Sequence, residues 1–258
     1  MLATKISVVV ISRNEGAELA ATVQNLRETL PADSRELVVV DDGSTDGSAD
    51  VLADALDVLV IRTDRLGVAK ARNLGALRST GDVLVFADAH VRAPEGWSGP
   101  MLESLADPEI GAVAPGIYSL TEPGRKGFGL DLIGAELHAR WRYRQAGTPY
   151  PVPVLPGAFL GMRRDTFVAT GGFDPGLQQL GGNDNELSCR LWLLGYKLLV
   201  VPQVEVGHLS VASRLIRPVG RPCSTTVCAL LLCISLHSAW SAYCGRYAFT
   251  NPSPPVLR

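Results

Sequence analysis

Two apolar runs near the N-terminus each end in polar residues. The first, "VVVISRNEG", spans Val8–Gly16, and the second, "ELVVVDDGSTDGS", spans Glu36–Ser48, where Asp41 and Asp42 follow the valines. Short runs of β-branched residues that are apolar throughout are typical of strands covered on both faces. Two adjacent carboxylates repel each other and folding does not require the pair. Either the second run ends in a solvated turn, or a ligand lies over it.

The same alternation continues outward from these two runs. Strand-like segments at 5–11, 36–42, 57–62 and 82–88 alternate with helix-like segments at 15–30, 48–56 and 67–80. Strands joined by helices of this length predict an α/β fold, with a mostly parallel sheet and helices on both faces. After Pro94 we predict a helix, a strand and a longer irregular region at 122–155. A strand, helix, loop, helix and strand then follow.

Composition narrows the class of protein. The 258 residues, 47% of them hydrophobic, are enough for one large α/β domain, and 24 basic against 26 acidic residues give no case for nucleic-acid binding. The first apolar run is too short for a signal peptide, and the longest, from Val227, is half of what a bilayer requires. We therefore predict a cytoplasmic protein without a transmembrane segment, with at most peripheral membrane contact. None of the five cysteines forms a C-x-x-C pair, which argues against zinc.

Polar residues follow three of the predicted strands. In parallel sheets ligands bind beyond the carboxyl ends of the strands, so we expect Asn14, Glu15, Asp41, Asp42 and Asp88 to line one edge. Carboxylates there can accept the uracil N3–H or bond ribose hydroxyls. The alternative is a capping turn that starts the next helix. Neither a G-x-G-x-x-G after the first strand nor a G-K-[ST] is present, which disfavours dinucleotide and P-loop sites.

A carboxylate and two imidazoles suggest a metal site. Asp88 and His90 stand two residues apart and point the same way if the segment is extended. His208 follows the last predicted strand and could return to the same edge as a third ligand. Mixed oxygen and nitrogen ligation suits Mn²⁺ or a similar ion, which could neutralise a diphosphate. The alternatives are a solvated turn and a surface histidine.

The segment "GGNDNELSCRLW" places two acids at the start of a predicted helix. Asp184 and Glu186 fall in its first turn, where the helix dipole favours carboxylates whatever their function. The dipole does not explain the preceding Gly181–Gly182, which we expect to be mobile. We therefore predict that Asp184, with Glu186 beside it, is catalytic and that Asp184 removes a proton from an acceptor hydroxyl.

Six motifs in one order resemble the family 2 glycosyltransferases with the GT-A fold. They are "VVVISRNEG", "VVVDDGSTDGS", "GVAKARNLGA", "FADAH", "PGAFLGMRR" and "GGNDNELSCRLWLLGYKL". The D-x-H, the later Gly-His and the GG-x-x-x-EL helix look like the polypeptide N-acetylgalactosaminyltransferase branch. The resemblance implies a UDP-sugar donor, with Asp41 or Asp42 at the uridine and Arg72 near the diphosphate. It further implies Mn²⁺ or Mg²⁺ on Asp88, His90 and His208.

The implied activity is metal-dependent transfer of a hexose or N-acetylhexosamine to a hydroxyl acceptor. That acceptor could be a glycan, a lipid-linked sugar, a natural product or a protein. Asp184 matches the Asp of the family's Glu-Asp pair, whereas Asn183 replaces its Glu. A base at Asp184 in line with C1 predicts inversion, although the polypeptide branch retains configuration.

Two other classes of function share features with this sequence. A nucleotide-sugar-binding protein with little or no catalysis remains the main alternative. A sugar-1-phosphate nucleotidyltransferase is disfavoured because "ISRNEG" is not a glycine-rich loop.

The C-terminal segment differs from the rest of the chain. We predict a GT-A domain over residues 1–210 and an atypical, poorly ordered tail over 211–258. No acidic residue follows Glu205, whereas four of the five cysteines do. Either the natural reading frame is lost just after Leu209, or the tail is divergent and disordered.

Overall fold

The structure of this chain is a computed structural model that describes residues 4–122, 124–133, 138–177 and 182–209. The predicted tail over 211–258, the proposed loss of frame and the predicted mobility of Gly181 lie outside these residues. The helices are α1 (Ala17–Thr29), α2 (Val68–Arg78), α3 (Ser98–Leu105), α4 (Arg164–Ala169) and α5 (Asn183–Leu193). The strands are β1 (Ile6–Ser12), β2 (Arg35–Asp42), β3 (Val58–Thr63), β4 (Val83–Asp88), β5 (Val91–Arg92), β6 (Ile110–Ser119), β7 (Lys126–Gly127), β8 (Leu130–Ile133), β9 (His138–Trp141), β10 (Tyr150–Pro151), β11 (Phe159–Arg163) and β12 (Lys197–His208).

Ten strands form one mostly parallel sheet within the described residues, and β8 and β9 form a separate hairpin. The sheet order is β10-β12-β6-β11-β4-β1-β2-β3, with β5 on β12 and β7 on β6. Strand β11 runs antiparallel to both β4 and β6, so β6 and β12 share the direction of β1, β2 and β4. The carboxyl ends of these five strands therefore lie at one edge of the sheet.

Helices cover both faces of the sheet. Val8 and Val10 of β1 pack in one core with α1 and α3, whereas Val9 packs in a second core with α2, α4 and α5. This is the period-two alternation expected of a strand buried on both sides. The predicted α/β class, mostly parallel sheet and two-sided helix cover are confirmed.

One predicted helix is wrong. Residues 48–56 contain only a single turn of 3-10 helix at Asp50–Leu52. Ala49 and Leu52 are buried, but Val51 and Leu56 are largely exposed, so Leu52 is the one large apolar side chain of this segment that packs in the core. The region 122–155, predicted to be irregular, contains the short strands β7 to β10. No helix in the described part of the chain is long and apolar enough to span a bilayer.

Candidate active site

Three potential metal ligands converge at the carboxyl edge of the sheet. Asp88 is the last residue of β4, His90 lies in the turn after it, and His208 is the last residue of β12. The His90 and His208 Nε2 atoms are 3.1 Å apart, and His208 Nε2 is 3.2 Å from Asp88 Oδ2. One ligand atom from each residue lies within 4.8 Å of the others. The structure thus brings together the three residues predicted to bind metal.

Backbone pairing fixes this convergence. Strand β5 begins directly after His90 and pairs antiparallel with the end of β12, where His208 lies opposite Val91. The Leu209 N–H also donates to the His90 carbonyl oxygen at 3.0 Å. These contacts therefore hold the backbone of His90 and the backbone of His208 side by side.

The donor set suits a divalent transition metal. Two imidazole nitrogens and one carboxylate oxygen can bind Mn²⁺, Fe²⁺ or Zn²⁺ and would leave coordination positions open for a ligand. Burial raises the pKa of Asp88, but its hydrogen bond with His208 and the charge of Arg72 outweigh burial and hold that pKa below its usual value. Asp88 is therefore an anion, ready to bind a cation, at neutral pH.

Glu15 orients one of the ligands. Its Oε2 lies 2.9 Å from His90 Nδ1, which leaves the His90 Nε2 atom directed at the cluster. Burial lowers the pKa of His90, but this hydrogen bond and the charge of Asp88 outweigh burial and raise the pKa above its usual value. Carboxylates that bind the outer nitrogen of a ligating histidine fix its tautomer and ring orientation. The contact gives Glu15, predicted to bind the donor, the role of supporting a metal ligand.

Arg72 joins the metal cluster to the candidate base. This buried side chain of α2 donates from Nη1 to Asp184 Oδ1 at 2.9 Å and from Nη2 to the Gly157 carbonyl oxygen at 2.8 Å. Its Nη2 also lies 3.4 Å from Asp88 Oδ1. The resemblance implies Arg72 near the diphosphate, and the structure places its guanidinium between the carboxylates of Asp88 and Asp184.

Asp184 occupies the position expected of a reactive acid. It stands in the first turn of α5, and 34% of its side chain is exposed. It packs on Gly157, where an added Cβ would come within 2.0 Å of Asp184 Oδ1. The segment before β11 therefore requires glycine at 157, a signal that lies within "PGAFLGMRR".

Glu186 is not exposed beside Asp184, which contradicts the prediction that Glu186 is catalytic. The residue has no exposed surface, and both its carboxylate oxygens bind the guanidinium of Arg190, at 2.7 and 2.9 Å. Arg190 also donates to the carbonyl oxygens of Thr170 and Gly172. Glu186 therefore anchors α5 to the segment after α4 and has no oxygen left for a substrate.

The loops after β1 and β2 bind each other. Asn14 Oδ1 accepts from the Thr45 N–H at 2.7 Å, and the Asn14 N–H donates to Ser44 Oγ at 3.0 Å. Asn14 has a positive φ of 56°, a conformation that asparagine tolerates better than most residues. Its side-chain oxygen thus joins two loops of the predicted nucleoside site.

The two adjacent aspartates differ in their surroundings. Among the described residues, the Asp41 carboxylate accepts one hydrogen bond, from the Ser44 N–H at 3.1 Å. Asp42 accepts three, from Thr63 Oγ1 and from the Leu66 and Gly67 N–H groups, and so holds the loop that leads into α2. The Asp42 carboxylate therefore stabilises the loop before α2. The Asp41 carboxylate, with fewer hydrogen bonds, is the better candidate for a nucleoside contact.

Comparisons with known proteins agree with the motifs. The sequence profile of "Glycosyl transferase family 2" matches residues 7–169. Human polypeptide N-acetylgalactosaminyltransferase 15 is 34% identical over 212 residues, 74% of this chain and 33% of that protein. The Drosophila melanogaster putative polypeptide N-acetylgalactosaminyltransferase 13 is 34% identical over 235 residues, 81% of this chain and 42% of that protein. The chain thus spans well under half the length of these relatives.

Solved structures show the same fold. GalNAc-T7, crystallised with UDP, GalNAc and Mn²⁺, superposes with a TM-score of 0.69 at 28% identity, over 81% of this chain and 44% of that one. The Pyrobaculum calidifontis mannosyltransferase PcManGT, in complex with GDP-Man and Mn²⁺, superposes with a TM-score of 0.62 at 21% identity, over 83% of this chain and 59% of that one. The second likeness concerns the fold alone.

Proposed function

Because this chain belongs to glycosyltransferase family 2, we propose that it transfers a sugar from a UDP-sugar to the hydroxyl group of an acceptor, with Mn²⁺ or Mg²⁺ as cofactor. The observation that supports this most directly is the convergence of Asp88, His90 and His208 at the carboxyl edge of the sheet. In open α/β sheets this edge is where ligands bind. GalNAc-T7, a structural neighbour, was solved with UDP, GalNAc and Mn²⁺, which supports the choice of donor and metal.

Different residues would bind the metal, orient its ligands and position the base in such a transfer. Asp88, His90 and His208 would hold the cation, which supplies positive charge for the diphosphate of the leaving UDP. Glu15 orients His90, and Arg72 keeps Asp88 and Asp184 at a fixed separation. Positioning of this kind reduces the entropy that the reaction must lose at the barrier.

Asp184 is the proposed general base. It takes the proton of the acceptor hydroxyl while that oxygen forms a bond with C1 of the sugar. The bond from C1 to the diphosphate oxygen breaks, and UDP leaves with the electron pair. Attack opposite the leaving group inverts the configuration at C1.

The acceptor class in this proposal remains broad. A glycan, a lipid-linked sugar, a natural product or a protein would each supply a hydroxyl group. A cytoplasmic location with peripheral membrane contact stays a prediction from the sequence.

A second candidate function is a nucleotide-sugar-binding protein with little or no catalysis. One observation favours it: position 183 carries Asn in place of the Glu expected from the family resemblance, and this Asn is buried at the start of α5. A protein of this kind would keep the metal and nucleotide contacts and lack turnover.

Calorimetry and turnover assays separate the candidates. We expect UDP to bind in the presence of Mn²⁺, with affinity lost in His90→Ala and His208→Ala and kept in His138→Ala, an exposed histidine outside the cluster. Slow release of UDP from the correct UDP-sugar identifies an enzyme. Binding without release in a panel of UDP-sugars and acceptors supports the second candidate, and no binding of UDP with Mn²⁺ contradicts both.

A further inference from the structure

A row of arginines lies on the hairpin formed by β8 and β9. Arg140, Arg142 and Arg144 occupy alternate positions. Arg140 and Arg142 lie in the paired segment, where alternate side chains point to the same face, and Arg144 follows two residues later. The pairing continues past β9, because the Arg142 N–H donates to the Gly129 carbonyl at 2.9 Å and the Phe128 N–H donates to the Arg142 carbonyl at 2.7 Å. At about 6.7 Å for each two residues, the row is about 13 Å long.

The row carries positive charge that the described residues do not neutralise. The guanidinium groups of Arg140 and Arg144 are exposed and form no ion pair or hydrogen bond in the described parts of the chain. Arg142 alone is paired, with its Nε 3.3 Å from Asp131 Oδ1. The Tyr150 hydroxyl donates to the Arg144 carbonyl oxygen at 3.0 Å and so ties the backbone of Arg144 to β10.

Strand β7, which leads into the hairpin, begins near the end of β12. Lys126 of β7 pairs with Tyr118 of β6, and Tyr118 pairs on its other side with Gly207, the residue before His208. Two strand spacings, about 10 Å, therefore separate the chain at Lys126 from the end of β12. Gln145, which follows Arg144, donates to Glu205 Oε1 at 3.2 Å and so attaches this end of the row to β12.

We infer that this arginine row binds an anionic acceptor, a hydroxyl compound that carries phosphate or carboxylate groups along an extended chain. The inference rests on the proposed function and names the acceptor class for the same site. A linear row of guanidinium groups matches repeated anionic groups, and arginine binds phosphate and carboxylate with paired N–H donors. The row would hold the anionic part of the acceptor while its hydroxyl group reaches Asp184.

A membrane surface fits the hairpin less well. Its exposed large apolar residues among those described are Ile133 and Tyr143. Ile133 lies opposite His138 and therefore on the arginine face, whereas Tyr143 falls on the other face by alternation. The two do not form one apolar patch that could enter a bilayer.

Binding of short-chain polyphosphate, measured by calorimetry at low salt, tests the inference. We expect the wild-type chain to bind it and the Arg140→Ser, Arg144→Ser double variant to bind about tenfold more weakly, a difference of about 1.4 kcal/mol. Arg78→Ser is the matched control, because Arg78 is exposed in the last turn of α2, at the opposite edge of the sheet. Equal weakening by the control, or no weakening in the double variant, overturns the inference.

Two further measurements on the same preparations separate the outcomes. UDP with Mn²⁺ should bind wild type and double variant equally; if the wild type does not bind UDP, the proposed function and the acceptor role fall together. Sedimentation with vesicles of phosphatidylcholine, with and without phosphatidylglycerol, should leave the protein in solution. Binding to the anionic vesicles that requires Arg140 and Arg144, without binding of polyphosphate, overturns the inference in favour of a membrane surface.

Discussion

Glu15 binds the outer nitrogen of His90, with Oε2 2.9 Å from Nδ1, and so directs the inner nitrogen toward His208. The pair joins the loop after β1 to the turn after β4. A residue predicted to bind the donor thereby sets the geometry of a metal ligand.

Glu15→Gln should therefore weaken metal binding without unfolding the domain. Loss of such a supporting carboxylate typically lowers metal affinity by about 10- to 100-fold. Calorimetric titration with Mn²⁺ measures the change. Glu28→Gln is the control, because Glu28 near the end of α1 accepts from Gln24 at 2.7 Å and contacts no metal ligand. If both variants bind Mn²⁺ as tightly as the wild type, Glu15 does not orient His90.

Asp184→Asn should abolish most of the transfer and leave binding intact. Removal of a general base costs about 10²- to 10⁴-fold in rate, whereas UDP and Mn²⁺ should bind as before. Proton NMR of the product should show inversion at C1. A retained configuration, or near-normal turnover in Asp184→Asn, rules out Asp184 as the base without affecting the metal assignment.

The comparison variant for that experiment is Glu186→Gln, two residues further along α5. Its buried carboxylate binds Arg190 and has no exposed surface, so this change should lower stability by about 3 kcal/mol in urea unfolding. We expect the folded fraction to keep its turnover number. A specific loss of turnover without loss of stability would restore a catalytic role for Glu186.

Gly157→Ala should displace Asp184. The added Cβ would lie 2.0 Å from Asp184 Oδ1 and 2.3 Å from its Cγ, so the carboxylate must move away from Arg72. A misplacement of this size costs about 10²-fold in rate, with Mn²⁺ affinity unchanged. Gly99→Ala in α3 is the control, since nothing lies within 4 Å of its added Cβ. Normal turnover in Gly157→Ala would mean that the position of Asp184 is not critical.

Metal binding should strengthen as the pH rises through the pKa of His90. That pKa lies above the usual 6.5, and a metal requires the neutral ring, so bound protons compete with Mn²⁺. In the metal-free protein, folding stability changes with pH in the opposite direction to metal affinity. The protonated His90 contributes stability that is fully present below pH 6.5 and is lost as the pH rises through the raised pKa.

Titrations with Mn²⁺ between about pH 6 and pH 8 test whether metal affinity rises with pH. Unfolding curves of the metal-free protein over the same range test whether its stability falls. Glu15→Gln should move the midpoint to lower pH, because the hydrogen bond that raises the pKa is lost. Mn²⁺ affinity that is constant across this range contradicts the assignment of His90 as a ligand that must lose a proton.

The metal cluster could be predicted from sequence because one rule of topology suffices. Parallel strands end at the same edge, so Asp88 at the end of β4 and His208 at the end of β12 had to share it. The roles of Glu15 and Arg72 could not be predicted in this way. They depend on where α1 and α2 begin relative to the strand ends and, for the contact of Arg72 with Asp184, on packing between residues 112 positions apart.

The buried contact of Glu186 has a signal in the sequence. Glu and Arg four residues apart on a helix form a frequent pair, and Glu186 with Arg190 has this spacing. The helix dipole explained an acid in the first turn but not which way the side chain faces. The 3-10 turn at Asp50–Leu52 likewise could not be predicted from composition, because residues 48–56 place only one large apolar side chain, Leu52, in the core.

The pairing of β5 with the end of β12 has a consequence for the newly made chain. His90 and His208 are 118 positions apart, so a ribosome must complete almost the whole sheet before the last ligand emerges. A nascent chain that stops short of β12 carries two of the three ligands and has no cluster to close. A bound ion would join early and late parts of the domain. It could contact all three ligands only after residue 208 has been synthesised.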